Sequence, residues 1–185
     1  MQRVVIIGPS GSGKTTLGRW IEYQFGLPFT DLDDLHWRPG WIEAPLDEFR
    51  HDVDRRTRAP RWVVAGNYGK ARDLIWTRAD TLIWLDLPLV QVLWRSMSRA
   101  LRDWWTREPI CNGNRQTLAG IANGRESLLG YTLHTFAPRR REWPPLLASP
   151  AYAHLRQFRL SNPRQVDAWR RNAAAAQAGK TPVDR

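Results

Sequence analysis

Apolar residues along this chain follow two alternating rhythms. Short, β-branched, doubly apolar runs at "RVVIIG" (3–8), "RWVVAG" (61–66) and "TLIWLDLP" (81–88) read as strands buried on both faces, as in a parallel sheet. "LPFTDLD" (27–33) reads as another short strand. Between these runs the period lengthens to that of a helix. "KTTLGRWIEYQFG" (14–26) sets Leu17, Ile21 and Phe25 four apart, with Gly26 as a stop. "LDEFRHDVDRRTRA" (46–59) is a polar helix with Leu46, Phe49 and Val53 on one side. "LVQVLWRSMSRALRDWW" (89–105) is a long amphipathic helix whose expected apolar face is Leu89, Leu93, Met97 and Leu101.

The pattern then weakens. Residues 106–124 carry two Asn-Gly pairs, which are turn or hinge signals. Helical patterning resumes at "RESLLGYTLHTF", and "PRRREWPPLLASP" (138–150) reads as a basic segment bounded by prolines. "LRQFRLSNPRQVDAWRR" (155–171) predicts a last strand, a turn at Ser161-Asn162-Pro163 and a closing helix, with the alanine-rich tail after Asn172 expected to fray. Strands alternating with helices imply one α/β domain with a parallel sheet and right-handed crossovers. Neither a repeat nor a linker interrupts it. Its expected core is about 1–31, 61–105 and 150–175, with insertions at about 32–60 and 106–140 and a tail from about 173 to 185.

Composition narrows this picture only a little. A chain of 185 residues with 42% hydrophobic content is long enough to bury a core. Twenty-eight basic residues against 18 acidic give a net charge of +10. Nearly all of the positive charge is arginine, since Lys14, Lys70 and Lys180 are the lysines. That balance suits phosphorylated ligands and nucleic acid alike. Eleven tryptophans fit either core gaps or flat stacking surfaces. Cys111 stands alone, which excludes an internal disulfide and a cysteine-based metal site. His36, His51, His134 and His154 show no metal-ligand spacing. With no signal-peptide pattern and no long apolar run, the expectation is a soluble, cytoplasmic protein.

One motif changes the reading. Gly8-Pro9-Ser10-Gly11-Ser12-Gly13-Lys14-Thr15 follows the first strand and opens the first helix, matching G-x-x-x-x-G-K-[ST]. Glycines let consecutive backbone N–H groups turn inward around phosphate oxygens, and the helix N-terminus adds a favourable partial charge. Lys14 reaches the β- and γ-phosphates, and the Thr15 hydroxyl suits Mg²⁺. The predicted ligand is ATP, held by Gly8, Ser10, Gly11, Ser12, Gly13, Lys14, Thr15 and Thr16.

The P-loop, together with "LDDLHWRPGW" (32–41), "WVVAGNY" (62–68), "LIWLDLP" (82–88), "NGNRQTL" and "RRR", resembles the nucleotide- and small-molecule-kinase branch of P-loop proteins that includes shikimate kinase. Within that branch the chain resembles the bacterial adenylate-kinase-like proteins named as DNA topology modulation proteins. The resemblance implies a three-layer α/β/α fold with five parallel strands in the order 2-3-1-4-5. It also implies that the first insertion closes over a phosphoryl acceptor and the second over ATP.

The resemblance then assigns roles. Asp31-x-Asp33 resembles the paired aspartates of shikimate kinase. Asp33 is expected to orient an acceptor hydroxyl or hold Mg²⁺ through water, while Asp31 and Asp34 serve equally well as helix caps. Arg95 and Arg99 resemble the R-x-x-x-R of adenylate kinases, the first against adenine and the second on phosphate. Arg102, in the same stripe, is left to solvent. Asn162 lies where this fold lines the adenine. Trp37, Trp41, Asn67 and Tyr68 are expected around the acceptor, although packing accounts equally well for the tryptophans and for Tyr68. An arginine among Arg107, Arg115, Arg125 and Arg139 to Arg141 should meet the transferring phosphoryl group. The chain departs from adenylate kinases at Ala65, where they carry an aspartate that organises the Mg²⁺ shell. Asp86 is the weaker candidate for that role.

The expectation is therefore a phosphotransferase moving the γ-phosphoryl of Mg·ATP to a small-molecule acceptor, with Lys14, Asp33 and Arg99 catalytic and Thr15 and Asp33 at the metal. Two alternatives stand beside it. One is an ATP-dependent protein acting with nucleic acid, suggested by the charge and the tryptophans. The other is an ATP binder whose catalysis is weakened by Ala65.

Overall fold

Period-2 alternation along the first strand divides the core in two. The structure, a computed structural model, describes residues 1–125 and 127–179. In β1 (Arg3–Ile7) the side chains of Val5 and Ile7 enter one cluster and those of Val4 and Ile6 the other. β1 is the middle of a five-stranded sheet with β2 (Phe29–Asp31), β5 (Trp62–Ala65), β6 (Thr81–Leu85) and β7 (Arg156–Leu160). The order is β2-β5-β1-β6-β7 and every pairing is parallel, which is the expected 2-3-1-4-5 arrangement. On one face Val4, Ile6, Val63 and Ile83 meet Leu17 and Ile21 of α1 (Lys14–Phe25) and Trp169 of α8 (Pro163–Ala178). On the other, Val5, Val64, Leu82 and Trp84 meet α3 (Leu46–Thr57), α4 (Arg72–Arg78) and α7 (Leu128–Leu147). Helices on both faces make the three layers.

Several elements differ from their sequence expectation. The second strand ends at Asp31, whose side chain accepts from the Asp33 N–H and starts the short helix α2 (Leu32–His36). Asp33 therefore sits in a helical first turn rather than on a strand. A hairpin follows, β3 (Trp37–Arg38) with β4 (Ile42–Glu43). The helix α4 has no counterpart in the sequence expectation.

α5 (Leu89–Thr106) is a helix as expected, but it buries Val92, Ser96, Ala100 and Asp103 rather than the Leu89–Leu101 face. The cause is close approach to the phosphate loop. A Cβ on Gly11 (φ +76°) would stand 2.7 Å from the Val92 carbonyl oxygen and 2.9 Å from the Ser96 nitrogen, so only small residues fit there. Gly11→Ala should accordingly lower stability by roughly 2–3 kcal/mol, read as a drop in urea midpoint; an unchanged midpoint would contradict this packing.

α7 runs unbroken from Leu128 to Leu147, with Pro138, Pro144 and Pro145 inside it, so 138–150 is not a separate proline-bounded segment. Phe136, Trp143 and Leu147 are buried along it, and this tertiary packing outweighs the local helix-breaking tendency. The alanine-rich segment is helical as far as Ala178, in keeping with alanine's high helix propensity. Glu126 and residues 180–185 of the expected tail lie outside the described residues. Trp62, Trp76, Trp84, Trp143 and Trp169 are buried and fill core gaps, whereas Trp94 and Trp105 on α5 are 74% and 80% exposed. Among the described residues, no helix is long and apolar enough to cross a membrane.

Candidate active site

The phosphate loop is held by a residue that follows the neighbouring strand β5. Asn67, just past β5, accepts from the Gly8 N–H (3.0 Å) and donates to the Gly8 carbonyl (2.5 Å), fixing the peptides on both sides of the loop's first residue. The Lys14 ammonium donates to the carbonyls of Gly8 (2.9 Å) and Pro9 (3.1 Å), so it lies folded along the loop. Burial lowers its pKa, opposed by the nearby Asp33 and Asp31 carboxylates, while Arg99 and Arg139 lower it further. Lys14 from α1 and Arg99 from α5 therefore meet at the loop, and Arg139 of α7, whose guanidinium donates to the Tyr131 hydroxyl, is near enough to act on the Lys14 charge. An Arg99 guanidinium nitrogen lies 3.4 Å from the Ser10 hydroxyl.

The Thr15 hydroxyl donates to Asp31 Oδ2 at 2.7 Å. Asp31 is the register partner of Ala65 on the adjacent strand, so a carboxylate stands one strand over from the position where adenylate kinases carry theirs. Burial, reinforced by repulsion from Asp33, raises the Asp31 pKa. Among the described residues, no three His, Cys, Asp or Glu side chains form a metal cage. That suits Mg²⁺, a hard ion that keeps most of its waters and relies on one or two protein oxygens plus substrate phosphates.

Facing the loop is a second cluster. The Tyr68 hydroxyl donates to Asp33 Oδ1 at 2.7 Å, and burial together with Asp33 pushes the phenol pKa well above its ordinary value. The contact depends on Gly66 (φ +147°), where a Cβ would stand 2.7 Å from the Leu32 side chain. Behind Tyr68 the buried His36 ring packs against Tyr68, Phe49 and Trp37, and Trp37 packs edge-on against Trp41. Burial lowers the His36 pKa, and its Nδ1 has no hydrogen-bond partner among the described residues.

The segment 110–115 closes over this cluster. Cys111, Asn112 and Gly113 all take positive φ, and Ile110 bridges back to Asn114. Asn112 donates to the carbonyls of Asp34 and Trp37, and Asn114 donates to that of Arg38. Trp41 donates its N–H to Asn114 Oδ1 and its indole N–H to the Arg115 carbonyl. This stretch of the second insertion therefore rests on the first insertion, whereas the sequence expectation placed it over ATP. Burial and three neighbouring carboxylates push the Cys111 thiol up to about 12. At pH 8 such a thiol is thiolate only about one part in ten thousand. Cys111 should react with iodoacetamide far more slowly in the folded protein than after denaturation; equal rates would contradict the closed segment.

The structure thus brings together Gly8, Ser10, Gly11, Ser12, Gly13, Lys14, Thr15, Asp33, Asn67, Tyr68 and Arg99. Thr16 is exposed on the first turn of α1. Arg95 is exposed and makes no hydrogen bond or ion pair among the described residues. Arg102 pairs with Asp103, a surface contact as expected. The Asn162 side-chain oxygen caps α8 by accepting from the Gln165 N–H. The Asn67 side chain is bonded to the phosphate loop at Gly8. Asp86 is buried between Arg140 (2.8 Å) and Arg159 (2.6 Å) and ties α7 to the sheet, a structural role. Sequence reasoning missed the Thr15–Asp31 bond and the Asn112 and Asn114 contacts. The Asn-Gly turn signal had marked that segment as a bend without giving its partner.

No family model matches the chain. It is 29% identical over 176 residues to a shikimate kinase of Psychrobacter cryohalolentis, covering 85% of this chain and 91% of that one. A shikimate kinase from Bacteroides thetaiotaomicron superimposes with a TM-score of 0.54 at 13% identity, covering 96% of this chain and 98% of that one. A gluconokinase from Sinorhizobium meliloti does so with a TM-score of 0.50 at 19% identity, covering 98% of both chains. These similarities support the kinase branch and not the finer resemblance to DNA topology modulation proteins. The chain has the α/β P-loop fold shared with shikimate kinase and gluconokinase.

Proposed function

We propose that the protein is a small-molecule kinase that transfers the γ-phosphoryl group of ATP to a hydroxyl of its acceptor. The observation that carries this reading is the opposition of two clusters: the cations Lys14 and Arg99 at the phosphate loop with Arg139 near them, and the hydrogen-bonded Asp33–Tyr68 pair opposite them. The kinase names of the relatives support it. Residues 8–15 cradle the triphosphate, and the hairpin with segment 110–115 covers the acceptor and excludes water. Asp33 accepts the acceptor's hydroxyl proton, with Tyr68 fixing which carboxylate oxygen is presented. The acceptor oxygen bonds to the γ-phosphorus as the bond to the β,γ-bridging oxygen breaks, leaving ADP. Lys14, Arg99 and Arg139 offset charge on the transferring group. Mg²⁺, with Thr15 as its direct ligand and Asp31 fixing that hydroxyl, would neutralise phosphate charge. Ala65 is compatible with turnover because Asp31 supplies a neighbouring carboxylate.

The test is ATP consumption with and without Mg²⁺ against pooled hydroxylated metabolites. Consumption requiring both metal and one small molecule is expected; ATP binding with no consumption under any pool would favour the weakened-catalysis alternative. The exposed Trp94 and Trp105 beside Arg95 and Arg102 on α5 favour nucleic acid as a second reading. Affinity for single-stranded DNA that falls steeply with salt would support it, and a flat, weak response would remove it.

A further inference from the structure

α5 turns an apolar stripe outward. At about 3.6 residues per turn, Val90, Trp94, Met97, Leu101, Trp104 and Trp105 share an arc of about 100°. That arc faces away from Val92, Ser96, Ala100 and Asp103, the buried residues of the helix. Val90 is 78% exposed and Leu101 44%, so with Trp94 and Trp105 the stripe runs uncovered by the described residues for about 22 Å. Single apolar residues on a surface are ordinary, but a continuous stripe marks an interaction site. The charges beside it have one sign. Arg95 and Arg102 border it along one edge, and Arg99 lies beyond them towards the phosphate loop. Arg95 makes no hydrogen bond or ion pair among the described residues, and Arg102 has only Asp103 at 3.6 Å. Arg107 follows at the helix end. Against these four arginines, residues 89–110 hold two carboxylates, the buried Asp103 and Glu108. The helix α6 (Leu118–Ala122), packed on α5, carries no charge and exposes Leu118.

From this arrangement we infer that the outer face of α5 docks on an anionic lipid bilayer, the helix lying in the plane of the interface. Val90, Trp94, Leu101 and Trp105 enter the boundary between headgroups and acyl chains, and the arginines along the edge extend their heads to the lipid phosphates. Such a surface matches both halves of the exposed face. Nucleic acid would meet the arginines and the tryptophan rings, but it would leave Val90, Met97 and Leu101 without a partner. A second copy of α5 would bring four more arginines and, with Asp103 buried, no exposed carboxylate of the helix to meet them. The phosphate loop touches the same helix on its buried side, at Val92 and Ser96. The docking face is therefore separate from the candidate active site, and the inference stands independently of the kinase reading.

Co-sedimentation with vesicles tests this. The full chain is mixed with vesicles of phosphatidylglycerol and phosphatidylcholine in equal parts, or of phosphatidylcholine alone, at low and high salt. The expected result is binding to the mixed vesicles that weakens with salt, and affinity about tenfold or more lower for phosphatidylcholine alone. Trp94→Gln combined with Trp105→Gln should lower affinity for the mixed vesicles by about tenfold or more, with the urea midpoint and ATP affinity unchanged. Trp105→Gln alone should show part of that loss. No binding to the mixed vesicles would overturn the inference, as would equal binding to both kinds. Full binding by the normally folded double variant would overturn the assignment to this face. Single-stranded DNA bound through the two tryptophans, with vesicles left unbound, would give the face to nucleic acid instead. A dimer that the double variant abolishes, again with vesicles unbound, would give it to a second copy.

Discussion

Lys14→Ala should lower kcat by about a hundred- to a thousandfold, the range seen when one preorganised donor to a developing charge is removed. The ammonium lies along the loop expected to receive the triphosphate, and its hydrogen-bond partners among the described residues are the carbonyls of Gly8 and Pro9. Arg99 and Arg139 remain to offset charge on the γ-phosphoryl group, but neither comes from the loop itself. Transfer depends mostly on positioning and charge stabilisation, so they replace Lys14 poorly. Stability should scarcely move, because Asn67 still fixes the backbone on both sides of Gly8. Steady-state kinetics with a parallel urea melt reads both quantities. A near-normal kcat in a normally folded variant would contradict the role given to Lys14.

Asp33→Asn should cost about a hundred- to ten-thousandfold in kcat, the usual contribution of a general base. The amide retains a carbonyl oxygen for the Tyr68 hydroxyl, so the cluster should keep its shape. ATP affinity should hold, since Asp33 bonds to Tyr68 rather than to the loop. Asp31→Asn should behave differently. Asp31 holds the Thr15 hydroxyl, so its loss should appear as weaker dependence on Mg·ATP rather than on acceptor.

The pH dependence of Asp31 has a definite sign. Its folded pKa is raised, mainly by burial. The folded state therefore binds this proton more tightly than the unfolded chain does. Stability from this residue is greatest below the ordinary carboxylate range and is lost as pH rises through the folded pKa. At neutral pH without metal, Asp31→Asn should raise the unfolding midpoint while impairing turnover. Opposite movement of the midpoint would contradict the burial argument. An ionised carboxylate retained at such a cost fits a residue kept for function.

The sheet and the phosphate loop were legible because both are local. β-Branched runs mark buried strands wherever they pack, and the loop needs its glycines for backbone geometry alone. α5 was misread because its partner is the loop. Gly11 demands small neighbours, so Ser96 and Ala100 turn inward and Trp94 is left outside, against the hydrophobic pattern. α7 passes through Pro138 because Phe136 and Trp143 are buried on either side of it, a gain that no local rule registers. In the candidate site, the sequence expectation put Asp33 first among the three aspartates; Asp33 accepts from Tyr68, whereas the bond to Thr15 belongs to Asp31. Two residues along one chain decide that difference, and it turns on Asp31 ending a strand and capping the next helix. The contacts of Asn112 and Asn114 join segments more than seventy residues apart, which spacing cannot reveal.

The central claim is transfer of a phosphoryl group to an alcohol, and phosphorus NMR of the reaction mixture tests it most directly. With Mg·ATP and a hydroxylated acceptor, growth of a phosphate monoester resonance matched by ADP, and its absence with Lys14→Ala, is the predicted result. Conversion of ATP to ADP and inorganic phosphate alone, whatever acceptor is supplied, would contradict it.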